Sequence, residues 1–341
     1  MSQTVSLRRL SLRRKGSKDN TSAAVSTSYR IQAYAILVAW LVLFLVFSFL
    51  LPEVFPTWQN VTSIANQKAA TVLLTLGLVF ALSAGEFDLS IGGAVSLGAA
   101  IPAWLSTVHG ISLPIAILIA LLIAVVFGLI NGLLSVKGKI PSLVVTLGTG
   151  TALLGIVSGV AGNTTLSVQG DSFVTLVKTR FLGFYIAFWF MFALALIAWY
   201  ILEHTPVGRQ LYFVGQGREV ARLAGIRTNA YRYTSLIACS TLAALAGAMV
   251  LTTAGAAQSG IGKSYVLPAF AAAFLGSTAI RPGRFNVWGT VVAVYFLETG
   301  ITGLQLKGFE NWITDVFYGL ALVIGVLVAT VASNLRSRSS D

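Results

Sequence analysis

The sequence predicts an all-α polytopic membrane protein of about ten transmembrane helices, some short or broken, with the N- and C-termini in the cytoplasm. Three observations predict it. Of 341 residues, 56% are hydrophobic and only 10% charged, where a soluble domain carries about 25% charged residues, so there are too few charges to cover a water-facing surface. Apolar stretches recur at 31–51, 69–84, 89–108, 111–134, 141–162, 184–202, 231–255, 265–280, 285–305 and 312–332. Most approach the roughly 20 residues that cross a hydrocarbon core, and 69–84 and 265–280 are the short ones. If every stretch crosses, 18 of the 23 Lys and Arg residues fall on one side, and this positive-inside bias makes that side the cytoplasm.

The elements follow in chain order. Residues 1–30 read as a disordered basic tail, whose Arg8, Arg9, Arg13 and Arg14 suit anionic lipid headgroups rather than nucleic acid. A transmembrane domain over 31–332 and a second cytoplasmic tail over 333–341 follow. Residues 31–51 are bulky throughout (Trp40, Phe44, Phe47, Phe49), as a peripheral, lipid-facing helix would be. Between the uncharged stretches 69–84 and 89–108, the run Gly85-Glu86-Phe87-Asp88-Leu89-Ser90 places two carboxylates where ionisable groups face a bundle interior or a water-filled path. Gly85, Gly92 and Gly93 allow the helix to break there and bare backbone groups toward a cavity. The alternative is a polar turn at the membrane surface.

In 141–162, Gly148, Ala152, Gly155, Gly159 and Gly162 share one helix face, which places this helix in the middle of a bundle. Residues 285–305 repeat the device with Gly289, Ala293, Gly300 and Gly303. Glu298 shares a face with Tyr295, Thr302 and Gln305, as an acid lining a pathway or pairing with a base would; Lys307 or a base on another helix is the competing partner. A glycine-interrupted stretch around Gly276–Gly289 mirrors the one at 85–93, a pattern that points to a substrate route in transporters. The longest cytoplasmic connection, 203–230, is polar with a helical pattern from Glu219 to Ile226. It reads as a partner-docking segment, or as an amphipathic helix on the membrane.

Ala257 to Ser264 nearly spells a phosphate-binding loop, but no strand precedes it, and it is expected on the outer side, away from cytoplasmic ATP. His109 and His204 fall on opposite sides, and Cys239 is the single cysteine, a packing residue, so no His/Cys metal cluster or cofactor site is expected. No nucleophile–base arrangement is legible. The chain is not expected to be an enzyme.

With these residues in hand, the chain resembles the permease subunits of bacterial ABC importers for ribose, xylose, galactose and related small sugars, from about residue 60 to residue 330. Asp88-Leu89-Ser90-Ile91-Gly92 resembles that family's Asp-Leu-Ser-x-Gly signature. Asn131-Gly132-Leu133 through Pro141 and Thr146-Leu147-Gly148-Thr149 is similar to a second block. Thr205-Pro206-Val207-Gly208-Arg209 and Ala221-Arg222-Leu223-Ala224-Gly225-Ile226 resemble its ATPase-contacting segment, and Ala257-Gln258 and Leu275-Gly276-Ser277 continue the likeness. Two departures stand out: Glu86 replaces a usual glycine, and Gln216-Gly217-Arg218 replaces a Gly-Asn-acidic run.

The resemblance implies a multi-pass protein of the bacterial inner membrane. Its partners would be a cytoplasmic ATPase that hydrolyses ATP, a periplasmic solute-binding protein and a second permease copy or paralogue, as homo- or heterodimer. The solute would be small and polar, a monosaccharide first. Asp88, Ser90, Asn131 and Glu298 would line or shape the path. Gly208, Arg209, Glu219, Ala221, Arg222 and Gly225 would dock the ATPase. The competing readings are an ion-coupled secondary transporter using Glu86, Asp88 and Glu298 as coupling acids, or an ABC permease for an amino acid.

Overall fold

The computed structural model describes residues 33–340; the basic tail over 1–30 lies outside the described residues. Among the described residues, eight helices are long and apolar enough to cross a membrane: α1 (Ala33–Leu50), α2 (Trp58–Ser83), α3 (Ile91–His109), α4 (Leu113–Val136), α5 (Ser142–Ala161), α7 (Ile186–His204), α10 (Thr228–Ala254) and α12 (Val287–Leu306). Between them lie α6 (Ser172–Val177), α8 (Pro206–Gln216), α9 (Arg218–Leu223) and α11 (Lys263–Gly276). The last, α13 (Trp312–Ser340), is apolar over Trp312–Val328 and continues as helix past residue 332, the expected end of the membrane domain.

α2 and α10 form the core, with α10 packed against α2, α3 and α4, and α11 against α12 and α13. Backbones touch where glycines leave room. A Cβ on Gly98 of α3 would lie 1.8 Å from the Ala244 carbonyl oxygen of α10, and one on Gly128 of α4 would lie 2.7 Å from the Ile237 Cα. Such close approach lets dispersion and tight packing hold helices where lipid offers no hydrophobic drive. α1 is peripheral, as its bulky sequence predicts, with Val38, Leu41, Leu45 and Phe49 turned outward.

Two expectations are corrected. The second helix begins at Trp58, not 69, capped by the Thr57 side chain that accepts from the Asn60 amide at 3.3 Å. Its first half is polar, which hid it from a hydropathy reading, and those polar groups face a cavity rather than lipid. α5 is not mid-bundle: Gly148, Gly155 and Gly159 meet no atom within 4 Å, whereas Gly289, Gly300 and Gly303 of α12 do pack against neighbours. A small-residue face allows close approach without saying whether its partner lies in the same chain.

At the end of α7 away from α8, two short antiparallel pairs close the bundle: β1 (Leu166–Ser167) with β4 (Ala256–Ala257), and β2 (Arg180–Phe181) with β3 (Phe184–Tyr185). After β4 the chain turns inward rather than remaining at the rim. The Gly262 amide donates to Ser96 Oγ at 3.0 Å, and a Cβ on Gly262 would lie 1.9 Å from the Gly92 carbonyl oxygen. The loop resembling a phosphate site is thus a re-entrant turn, and it brings the N-termini of α3 and α11 together. This dip also explains why α11 is short.

Candidate functional site

Breaking a helix inside a bundle frees backbone groups that need partners. Between α2 and α3, Gly85 takes φ +73°, a conformation that favours glycine. The freed groups are then stitched to α5. The Phe87 amide donates to Ser142 Oγ at 3.1 Å, the Leu89 amide to Thr146 Oγ1 at 2.9 Å, and Thr146 Oγ1 donates to the Phe87 carbonyl at 3.0 Å.

Below this seam runs a chain of side chains. Asp88 Oδ1 accepts from the Ser90 amide at 2.9 Å and from Ser90 Oγ at 2.5 Å. Asn131 Nδ2 of α4 donates to Ser90 Oγ at 2.9 Å, and Thr149 Oγ1 of α5 donates to Asn131 Oδ1 at 2.7 Å. Asp88, Ser90 and Asn131 are fully buried. Cys239 of α10 is buried in the hydrophobic core, as a packing residue would be. The network fixes the shape of the break and joins α3, α4 and α5 around it. Gly93, beside it, leaves room for the Gly150 carbonyl, 2.8 Å from where a Cβ would stand.

Glu86 points the other way. Its Oε1 accepts from Arg218 Nη2 at 2.8 Å and from Arg232 Nε, and the carboxylate is fully buried. Glu86 therefore faces Arg232 on α10, away from the Asp88 network.

Glu298 pairs with a base on another helix, not with Lys307: Lys68 Nζ of α2 lies 3.0 Å from its Oε2, and the Tyr318 hydroxyl lies 3.4 Å away. Lys68 closes the inner end of a polar cavity of about 380 Å³, lined by Gln59, Ser63 and Asn66 from α2, Tyr185 from β3 and Tyr265 from α11. The spacing of 59, 63 and 66 is one helix face, a signal present in the sequence but masked by the low hydropathy of 58–68.

The docking candidates divide. Arg209, Glu219, Arg222 and Gly225 are exposed, and Arg222 Nη2 pairs with Glu219 Oε2 at 2.8 Å. Gly208 and Ala221 are buried: a Cβ on Gly208 would lie 2.1 Å from the Leu202 carbonyl, so this glycine lets α8 fold back onto the end of α7. Sequence reasoning missed the apolar part of this surface, Val220 and Leu223, which are 63% and 85% exposed on α9. Among the described residues, no group of three or more His, Cys, Asp and Glu side chains is placed to hold a metal ion.

The broken, buried-polar junction of α2 and α3 lies beside the exposed α8–α9 segment at one end of the bundle, and sequence comparison supplies the family. Residues 60–326 match the family described as the permease component of branched-chain amino acid transport systems. The chain belongs to that family. This permease is 32% identical over 306 residues to the ribose import permease of Haemophilus influenzae, covering 87% of this chain and 91% of the relative. It is 32% identical to that of Bacillus subtilis, covering 79% and 84%. To the autoinducer 2 import system permease LsrD of Salmonella paratyphi B it is 29% identical, covering 76% and 80%. Among solved structures, PsaBC from Streptococcus pneumoniae in complex with Fab aligns over 80% of this chain and 91% of that one, at 14% identity and a TM-score of 0.42. Eight membrane-length helices and the family together make the permease a multi-pass membrane protein.

Proposed function

We propose that the permease is the membrane subunit of a binding-protein-dependent ABC importer and forms, with a second permease copy, the path for a monosaccharide. The observation that carries this reading is the pairing of similarity to a ribose import permease over 87% of the chain with an exposed segment, α8–α9, folded directly against the helix break. The ATPase would sit under α9, against Val220, Leu223, Arg209, Glu219 and Arg222, which places α8, α9 and both termini in the cytoplasm. A binding protein would deliver solute to the opposite face. Asp88, Ser90 and Asn131 shape the path by fixing the break. Glu298 reaches the solvent-facing side through Lys68 and the outer cavity.

The ion-coupled alternative is disfavoured by the state of its acids. A coupling acid must exchange ions with water, yet Glu86 and Asp88 are fully buried and Glu298 is 7% exposed and paired to Lys68.

Arg209→Glu and Glu219→Arg are each expected to abolish co-purification of the ATPase and binding-protein-dependent uptake of radiolabelled D-ribose. Retention of both would refute the docking assignment. The outward glycine face of α5 fits the second copy, so Gly155→Leu is expected to leave the melting temperature of the solubilised subunit unchanged while shifting the transporter toward single permease copies by mass photometry.

A further inference from the structure

The buried carboxylate of Glu86 has no part in the path as described, yet two arginines from separate elements converge on it. Arg218 is the first residue of α9 and half exposed; Arg232 lies in the first turns of α10 and is nearly buried. Both meet the same oxygen, Oε1, while Oε2 is buried without a hydrogen-bond partner among the described residues. Arg218 Nη2 also donates to the Gly85 carbonyl at 3.1 Å, and Arg232 Nη2 to the Ser135 carbonyl at the end of α4 at 3.3 Å. Beside this cluster the chains touch without intervening side chains. A Cβ on Gly215, in the last turn of α8, would lie 2.2 Å from the Ser83 carbonyl, and one on Gly85 would lie 3.4 Å from the Gly215 Cα.

We propose that Glu86, Arg218 and Arg232 form a charged latch that makes the α8–α9 segment and the helix break move as one body, so that displacement of the segment is delivered to Asp88 and α3. Glu86 and Arg218 are positioning residues in this scheme. Separating the segment from the break would leave Glu86 short of one cation in a buried site, and a buried charge that loses a partner is strongly penalised. Segment and break therefore travel together more cheaply than they part. Arg232 anchors the same carboxylate to α10 and, through Ser135, to α4, which gives the moving pair a fixed pivot.

The latch rests on the docking reading of α8–α9, and the two fail differently. In the full transporter with its ATPase, reconstituted in nanodiscs, nitroxide labels at Phe87→Cys and at Gln216→Cys, exposed at the end of α8 beside Arg218, report the distance between the break and the α8–α9 segment by electron-spin measurement, without nucleotide and with ATP plus vanadate. The expected result is one narrow distance that is the same in both states. Glu86→Gln and Arg218→Gln are each expected to broaden it and to separate the two states, with the double variant matching either single one. The half-exposed Arg218→Gln carries the test if the buried Glu86→Gln fails to fold. A distance that changes between states in the unsubstituted protein, or variants that keep the narrow distance, overturns the latch. Loss of ATPase co-purification in Arg218→Gln also overturns it, by making Arg218 a docking contact. The docking reading itself fails if Arg209→Glu or Glu219→Arg retains both ATPase co-purification and uptake.

Discussion

Lys68→Met is expected to destabilise the permease by roughly 1–3 kcal/mol, the usual cost of leaving a buried polar group without its partner. The substitution keeps side-chain volume but leaves Glu298 buried without the Lys68 ammonium, with the Tyr318 hydroxyl 3.4 Å away. The measurement is the thermal unfolding midpoint of the solubilised protein. Lys68→Met combined with Glu298→Gln is expected to recover most of the loss, because the uncompensated charge is gone. A double variant as unstable as Lys68→Met alone would show that Lys68 matters through packing and not through its charge.

The second large effect is expected at the re-entrant turn. Gly262→Ala places a methyl group 1.9 Å from the Gly92 carbonyl oxygen and 2.9 Å from the Ser96 amide nitrogen, both backbone atoms of α3. Backbone cannot rotate away as a side-chain tip can, so α3 and α11 must separate and the Gly262–Ser96 hydrogen bond must stretch. Overpacking of this kind costs about 1–3 kcal/mol, and uptake of radiolabelled D-ribose is expected to be lost while the ATPase still co-purifies. Gly260→Ala is the matched control: two residues away, its Cβ meets nothing within 4 Å. Equal uptake in the two variants would mean that the junction of α3 and α11 tolerates separation.

What the sequence made legible follows the strength of each signal. Apolar length announced most of the spans, and charge between two apolar stretches announced the break at 85–90, because both are local properties. The first half of α2 was illegible: Gln59, Ser63, Asn66 and Lys68 lower hydropathy, and only the cavity they face makes them compatible with a membrane. The α5 glycines were legible as a contact face but not as one that faces away from the rest of its own chain. The inward dip of Gln258–Gly262 depends on a contact with Gly92, more than 160 residues away in sequence. Glu86 and Arg218 lie far apart in sequence and gave no hint of being partners. In three dimensions they meet: the Glu86 carboxylate in the break pairs with Arg218 of the segment that covers it, at 2.8 Å.

α2 is one uninterrupted helix of 26 residues, about 39 Å long at 1.5 Å per residue. It holds Lys68 in the outer cavity and ends at Ser83, against the docking segment. On the proposed docking reading, such a rod would work as a lever with a load at each end. A tilt of about 5° over that length displaces one end by roughly 3 Å relative to the other, so an ATPase pulling below would also alter the mouth of the cavity. Outer opening and inner closure need no separate signals if a single stiff beam carries both.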